Sequence, residues 1–269
     1  MENKIDLINH LMGCWERRDV DAVLDCLTED IEYYWHIGTK PVKDKSTMRK
    51  FLNNYSGRYD QKRWEIFNFA ENENLLLGEG HEELWDRSNH RTIHQPFMQA
   101  FEFRDGLVSH WRDYYEPENL TLTSKSEGLN RAFSRGSARE VIIDTPNFME
   151  TMLELIDASI TQDKEKFISL CDPDIEYILH TSARPLSGTD WVARFLDKYF
   201  AEMTDLDWRI DRWAQNGNKL LVEGCEEYRE RASGRFVSHP YMGIVEFSAS
   251  GKIMAMRDYF EMNSQVSNE

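Results

Sequence analysis

The 269-residue chain lacks a basic excess, a long apolar run and a cysteine framework. Lys and Arg number 32 against 48 Asp and Glu, a formal charge of −16. A surface this acidic is poorly suited to phosphate backbones and is repelled by anionic membranes. Neither nucleic-acid nor membrane partners are therefore expected, and the field favours a neutral or cationic small ligand. No stretch of about 18 apolar residues occurs. The start, MENKIDLINHLM, has no basic segment leading into an apolar one, so no secretory signal is predicted. Cys14, Cys26, Cys171 and Cys225 are scattered, with no CxxC pair. They fit reduced, buried thiols in a cytoplasmic protein better than disulfides.

Cofactor signatures are missing as well. There is no HExxH, Cys/His quartet, EF-hand loop, Walker segment, GxGxxG or GxSxG elbow. His90 and His94 fall in hairpin and strand context and point to no common site. The expectation is a protein without metal or cofactor. What the chain does have is a globular composition, 41% hydrophobic and 12% aromatic.

It also contains itself twice. DIEYYWHIG at 30–38 reads against DIEYILHTS at 174–182, an offset of 144 from His36 to His180. The offset pairs Pro41 with Pro185, Trp64 with Trp208, Gly80 with Gly224 and Pro96 with Pro240. After one inserted residue near Ser248–Gly251, Arg112-Asp113-Tyr114 matches Arg257-Asp258-Tyr259. Shared composition does not align Trp, His, Pro and Gly over such a span. A period this long means whole duplicated domains rather than a solenoid. We place the domains at 1–120 and 146–269, with a linker over 121–145.

Both copies carry the same local pattern. Ile5, Ile8, Met12 and Trp15 recur at helical spacing, as do Met149, Met152, Leu153 and Ile156. A second short helix follows, with Asp19 as N-cap in the first copy. A third carries Met48, Phe51, Leu52 and Tyr55, or Val192, Phe195, Leu196 and Tyr199. From Trp64 and Trp208 onward, aromatic and aliphatic stretches alternate with turn signals such as Asp105-Gly106, which predicts hairpins. Leading helices and trailing strands make an α+β domain.

This order, the His-x(4)-Pro-Leu-x-Gly segment (His180, Pro185, Leu186, Gly188) and the closing Trp-Arg-Asp-Tyr-Tyr resemble the SnoaL-like polyketide cyclases and limonene-epoxide hydrolases. These belong to the nuclear transport factor 2-like (NTF2-like) superfamily, which includes ketosteroid isomerase. The resemblance implies two cone-shaped half-open barrels, each a curved antiparallel sheet with helices around an apolar pocket. It also implies an intramolecular pseudo-dimer about a pseudo-two-fold, with a further homodimer left open.

Similarity to the hydrolases suggests that Asp113 and Asp258 face inward, Asp113 with Trp111 and Tyr115 on its face. The hydrolases' Arg-x-Asp falls on Gly80-His81-Glu82 and Gly224-Cys225-Glu226, so the acid remains and the Arg is gone. Their Tyr-x-Asn falls on Tyr33 and Trp35, and on Tyr177 and Leu179, so the Tyr remains and the Asn is gone. The candidate catalytic set is therefore Tyr33, His36, Glu82 and Asp113, mirrored by Tyr177, His180, Glu226 and Asp258. Trp35, His81, Gln95, Phe97, Trp111, Tyr115, His239 and Tyr241 are candidate binding residues. Carboxylates in an aromatic cavity lose hydration and become bases near neutral pH, and a Tyr beside them can stabilise an oxyanion. Other readings stay open: Asp113 in a structural hydrogen-bond or ion-pair role, and His36 and His180 as caps of the loop before Pro41 and Pro185.

The leading expectation is a cofactor-independent acid–base enzyme on a hydrophobic cyclic or aromatic small molecule. Its reaction would be that of an isomerase, cyclase, dehydratase or retro-aldol-type lyase. The alternatives are a limonene-epoxide-hydrolase-like hydrolase and a noncatalytic binding or assembly module. With Trp35 and Trp111 against Leu179 and Met256, the first pocket is expected to be the more aromatic, which favours it slightly as the active one, and the choice between the two stays open.

Overall fold

The computed structural model describes residues 3–116, 147–180 and 183–260 and turns each repeat into the same run of elements. The first has α1 (Lys4–Glu16), α2 (Val20–Asp25), β1 (Leu27–Tyr34), β2 (Val42–Lys43), α3 (Lys45–Arg58), β3 (Tyr59–Asn72), β4 (Leu75–Asp86), β5 (Arg91–Arg104) and β6 (Leu107–Tyr114). The second has α4 (Phe148–Ile160), α5 (Lys164–Leu170), β7 (Cys171–Ile178), β8 (Leu186–Ser187), α6 (Thr189–Glu202), β9 (Met203–Asn216), β10 (Lys219–Glu230), β11 (Phe236–Phe247) and β12 (Ile253–Tyr259). The chain divides into two compact units, residues 1–132 and 133–269. The expected linker at 121–145 lies outside the described residues.

Local chemistry explains the shared outline. The apolar stripe of α1 buries Ile5, Ile8, Leu11, Met12 and Trp15. Just beyond it Arg18 takes a left-handed φ of 61°, and its counterpart Gln162 takes 58°. The next residue caps the following helix: Asp19 accepts from the Ala22 N–H, and Asp163 from the Lys166 N–H. Such caps contribute about 1 kcal/mol each. Before α3, Asp44 sits at φ 64° and accepts from the Thr47 N–H at 2.8 Å. At the same point before α6 stands Gly188 at φ 86°, which adopts that backbone without a Cβ penalty but brings no side-chain cap.

The two sheets have the orders β2-β1-β6-β5-β4-β3 and β8-β7-β12-β11-β10-β9. The expected antiparallel pairing holds for four of the five strand pairs in each sheet, and the fifth pair is parallel. β1 runs parallel to β6, with Tyr33 opposite Trp111, and β7 runs parallel to β12, with Tyr177 opposite Met256. A parallel pair needs a long crossover, and β2, α3 and the three long strands supply it. The end strands do not pair with each other, so each sheet stays open.

Bulges bend the long strands at equivalent places, between Ile66 and Asn68 in β3 opposite Gly80 and between Ile210 and Arg212 in β9 opposite Gly224. Gly80 and Gly224 sit there because nothing larger fits. A Cβ on Gly80 would run into the Glu65 carbonyl oxygen and the Phe97 ring, and one on Gly224 into the Arg209 carbonyl oxygen. The helices cover one face of each sheet over separate cores. Trp15, Leu27, Ile31, Met48 and Trp111 belong to the first, and Leu155, Ile175, Val192 and Met256 to the second. No helix among the described residues is long and apolar enough to cross a membrane.

Candidate active site

Each domain holds a cavity between its helices and the concave face of its sheet, of about 360 Å³ in the first and 380 Å³ in the second. Both sizes suit a small organic ligand. Alternation along the strands sets what lines them. In β6 it turns Asp113 inward, with Tyr115 just past the strand end; in β4, Glu82 and Leu84; in β5, Ile93, Gln95 and Gln99. From α1 and α3 come Trp15, Phe51 and Tyr55.

In the first cavity Asp113 is 6% exposed and takes three side-chain hydrogen bonds. The Tyr33 hydroxyl donates to Oδ2 at 2.7 Å, while Gln99 Nε2 at 3.0 Å and Trp111 Nε1 at 2.5 Å donate to Oδ1. Burial pushes its carboxyl well above the usual range, and these donors and the Glu82 charge act against and with that push. Glu82 is pushed up to about 7 by burial, opposed by the Gln61 amide. It accepts from Gln95 Nε2 at 2.6 Å and Gln61 Nε2 at 3.2 Å.

The second cavity keeps the acids and changes their partners. Asp258 accepts from the Tyr177 hydroxyl at 2.8 Å on Oδ2. Gly243 replaces Gln99 and Met256 replaces Trp111, so no side chain donates to Oδ1. That oxygen is not among the buried unpartnered atoms, so it is open to the cavity. Even a Cβ on Gly243 would come within 2.9 Å of it. Burial pushes Asp258 up to about 7, opposed by Tyr177 and helped by the Glu226 charge. Glu226 is held by the Tyr199 hydroxyl and by His239 Nε2 at 3.2 Å. His239 stacks on Phe260 with ring centroids 4.7 Å apart. The buried Tyr241 hydroxyl lies against the Trp208 indole N–H, and its own proton has no acceptor.

The structure brings Tyr33, Glu82, Asp113, Trp35, Gln95 and Tyr115 together in the first cavity, and Tyr177, His180, Glu226, Asp258, His239 and Tyr241 in the second. Four residues chosen from the sequence do not line a cavity. His36 is buried and donates from Nε2 to the Tyr115 carbonyl at 3.0 Å, past the end of β1. His81 neighbours the inward Glu82, so alternation turns it to the other face, where its ring stacks on His94 at 5.7 Å. Phe97 packs edge-on to Trp64 in the core, and Trp111 reaches the site only through its indole N–H. The first cavity is not the more aromatic. Eight aromatic side chains line each, because Phe167, Tyr228 and Tyr241 offset the loss of Trp15, Trp35 and Tyr59.

Sequence reasoning missed Tyr55, Gln61, Trp64 and Gln99, with Tyr199, Trp208 and Tyr228 in the second domain. Tyr55 and Tyr199 were in hand as repeat-paired helix residues. Their position one turn beyond Phe51 and Phe195 was the signal that they continue the inward stripe.

Each unit is thus an α+β domain with an acidic and aromatic cavity. The family model described as the SnoaL-like domain matches the chain twice, over residues 8–111 and 152–256. The chain belongs to that family and contains its domain in tandem. Similar solved structures include an LEH-like epoxide hydrolase from M. tuberculosis, at 20% identity over 49% of this chain and 92% of that one, with a TM-score of 0.39. Another is a putative SnoaL-like polyketide cyclase from Shewanella denitrificans, at 16% identity over 44% and 93%, TM-score 0.41. A third is an NTF2-like protein of unknown function from Burkholderia pseudomallei, at 17% identity over 45% and 100%, TM-score 0.41. No curated protein matches the sequence.

Proposed function

We propose that the protein is a cofactor-independent acid–base enzyme for a hydrophobic cyclic or aromatic small molecule, and that turnover belongs to the second domain. One observation carries this reading. Asp258 is a desolvated carboxyl with a single donor and an open oxygen, poised to titrate at about 7. A base with that pKa combines adequate strength with a useful ionised fraction at neutral pH. Its counterpart Asp113 is also pushed well above the usual carboxylate range by burial, but it has donors on both oxygens, which occupy the lone pairs a base would use.

In this reading Asp258 Oδ1 takes a proton from a carbon next to a carbonyl of the bound ring. The resulting enolate oxygen accepts the unclaimed Tyr241 hydroxyl proton as a hydrogen bond. Tyr177 orients Asp258, and Glu226 is held by Tyr199 and His239. Returning the proton to a different carbon is an isomerisation; expelling a hydroxide from the adjacent carbon is a dehydration. Epoxide hydrolysis is the weaker reading, because the glycines at 80 and 224 leave no room for the Arg that the resemblance calls for.

The test is deuterium uptake from D2O beside the carbonyl of a flat cyclic ketone such as 2-tetralone, followed by NMR. The expected result is exchange lowered by about a hundredfold or more in Asp258→Asn and retained in Asp113→Asn. Loss in Asp113→Asn alone would move the chemistry to the first domain. Ketone binding with no exchange would favour the noncatalytic binder.

A further inference from the structure

We propose that the first cavity is a binding site for an organic ammonium ion, a primary amine carried on a flat apolar group. This inference concerns a cavity that the proposed chemistry does not use, and it stands on how that cavity's amides are turned. Gln95, Gln99 and Gln61 all point their NH2 groups at carboxylates, to Glu82, Asp113 and Glu82 respectively. That arrangement consumes the donors and leaves the amide oxygens. Gln61 Oε1 accepts from the Tyr55 hydroxyl at 2.8 Å. Gln99 is 3% exposed and lines the cavity, and its Oε1 is occluded without a partner. Gln95 Oε1 accepts no hydrogen bond and is not among the occluded atoms, so it opens on the same space.

A buried acceptor without a donor is unfavourable by a few kcal/mol at most sites and is normally filled. Here one amide oxygen open to the cavity, that of Gln95, and one occluded behind it, that of Gln99, stand beside two buried carboxylates. An ammonium group brings several N–H donors and a positive charge, and so answers both features at once. A hydroxyl brings one donor and no charge. The rings of Trp15, Tyr33, Tyr55 and Trp64 supply walls that favour a cation over a neutral group. The cation among the described lining residues, Arg58, is half exposed and already engaged, 3.4 Å from Asp86 and over the Tyr59 ring. Among the described residues no group of three His, Cys, Asp or Glu side chains is spaced to hold a metal ion, which favours an organic cation.

The second cavity lacks this set. His239 stands where Gln95 is, Gly243 where Gln99 is, and Asp205 where Gln61 is. An ammonium ligand should therefore choose the first domain.

The experiment titrates the full chain with 2-phenylethylamine, 2-phenylethanol and phenylacetate near pH 8, by calorimetry and tryptophan fluorescence. The amine is expected to bind about tenfold or more tightly than the alcohol, and phenylacetate most weakly. Glu82→Gln, which keeps the side-chain shape, should weaken the amine by about tenfold and leave the alcohol unchanged. Glu226→Gln should change neither. Near pH 6, below the value of about 7 for Glu82, amine binding should expel a proton, seen as a heat that depends on the buffer. Equal binding of amine and alcohol, loss of amine binding in Glu226→Gln instead of Glu82→Gln, or no amine binding at millimolar concentration would each overturn the proposal.

Discussion

Replacing Asp258 by Asn removes one negative charge from the second cavity and changes almost nothing else. Asn has the same size, and its carbonyl can still accept from the Tyr177 hydroxyl. The folded protein raises this carboxyl from 3.8 to about 7. At 1.36 kcal/mol per tenfold change in acidity, that rise corresponds to about 4 kcal/mol against the folded, ionised form. The figure already contains the opposing Tyr177 hydrogen bond. The sign follows from which state holds the proton. Below about pH 4 the group is protonated in both states, and wild type and variant should be equally stable. Between about pH 4 and 7 the folded state keeps a proton that the unfolded chain releases, so wild-type stability falls as pH rises. Above 7 the loss is complete. The amide in Asp258→Asn does not titrate, so the variant's advantage should grow from about zero at pH 4 to about 4 kcal/mol at pH 8. Urea unfolding at pH 4, 6 and 8 measures it, with the second-domain transition identified by hydrogen exchange in β12. The same variant should lose proton-transfer activity, a trade of function for stability. A stability difference that does not change with pH, or a variant less stable than wild type at pH 8, would refute the argument that Asp258 is strained by its burial.

Ketone exchange catalysed by the wild-type protein should rise with pH through an apparent pKa of about 7, because Asp258 acts only when ionised; a flat profile from pH 5 to 9 would point to another base. Tyr241→Phe should lower the rate by about ten- to a hundredfold with little change in KM, since it removes one oxyanion donor, whereas Phe97→Tyr in the first domain should leave it unchanged. Gly224→Ala should destabilise the second domain by about 2 kcal/mol or more, because its Cβ meets the Arg209 backbone rather than a movable side chain; thermal unfolding would show it. Burial pushes the Cys26 thiol up to about 11 and the Cys171 thiol up to about 12. Native protein at pH 8 should therefore resist iodoacetamide at both, and rapid labelling, read by mass spectrometry, would contradict their burial.

The duplication, the helices and the strand content were legible because each is written in local spacing. The offset of 144 is visible without any folding, and Asp19 announces a cap by its place before an apolar stripe. The parallel pairing of β1 with β6 was not legible, since alternation within a strand does not say which neighbour it will meet. Nor was the start of β3 at Tyr59: residues 59–63, Tyr-Asp-Gln-Lys-Arg, are mostly polar, and the strand there is fixed by pairing with Asp86 through Glu83. The buried acids could be read from the closing Arg-Asp-Tyr and from the paired glutamates. The error over His81 could have been avoided, because two successive strand residues cannot share a face. Gln61 and Gln99 could not be found. Each is an unremarked amide on a strand, and its role arises only when β3, β4, β5 and β6 align Gln61 with Glu82, and Gln99 with Asp113.

The differences between the domains fall on the partners of the acids more than on the walls. Gln99 to Gly243 and Trp111 to Met256 strip two donors from the same carboxyl oxygen. Gln95 to His239 gives the neighbouring glutamate an imidazole in place of an amide, and Phe97 to Tyr241 adds a hydroxyl to the cavity. Each donor lost from Asp258 removes a charge-assisted hydrogen bond that would favour the ionised form by about 1.5–3 kcal/mol. The same backbone and the same Tyr–Asp pair thus give two carboxyls raised by burial, one with donors on both oxygens and one with a free oxygen. A single-copy protein must reconcile these demands in one cavity. A tandem chain can separate them, and the physical signature of that separation is the hydrogen-bond count on Asp113 against that on Asp258.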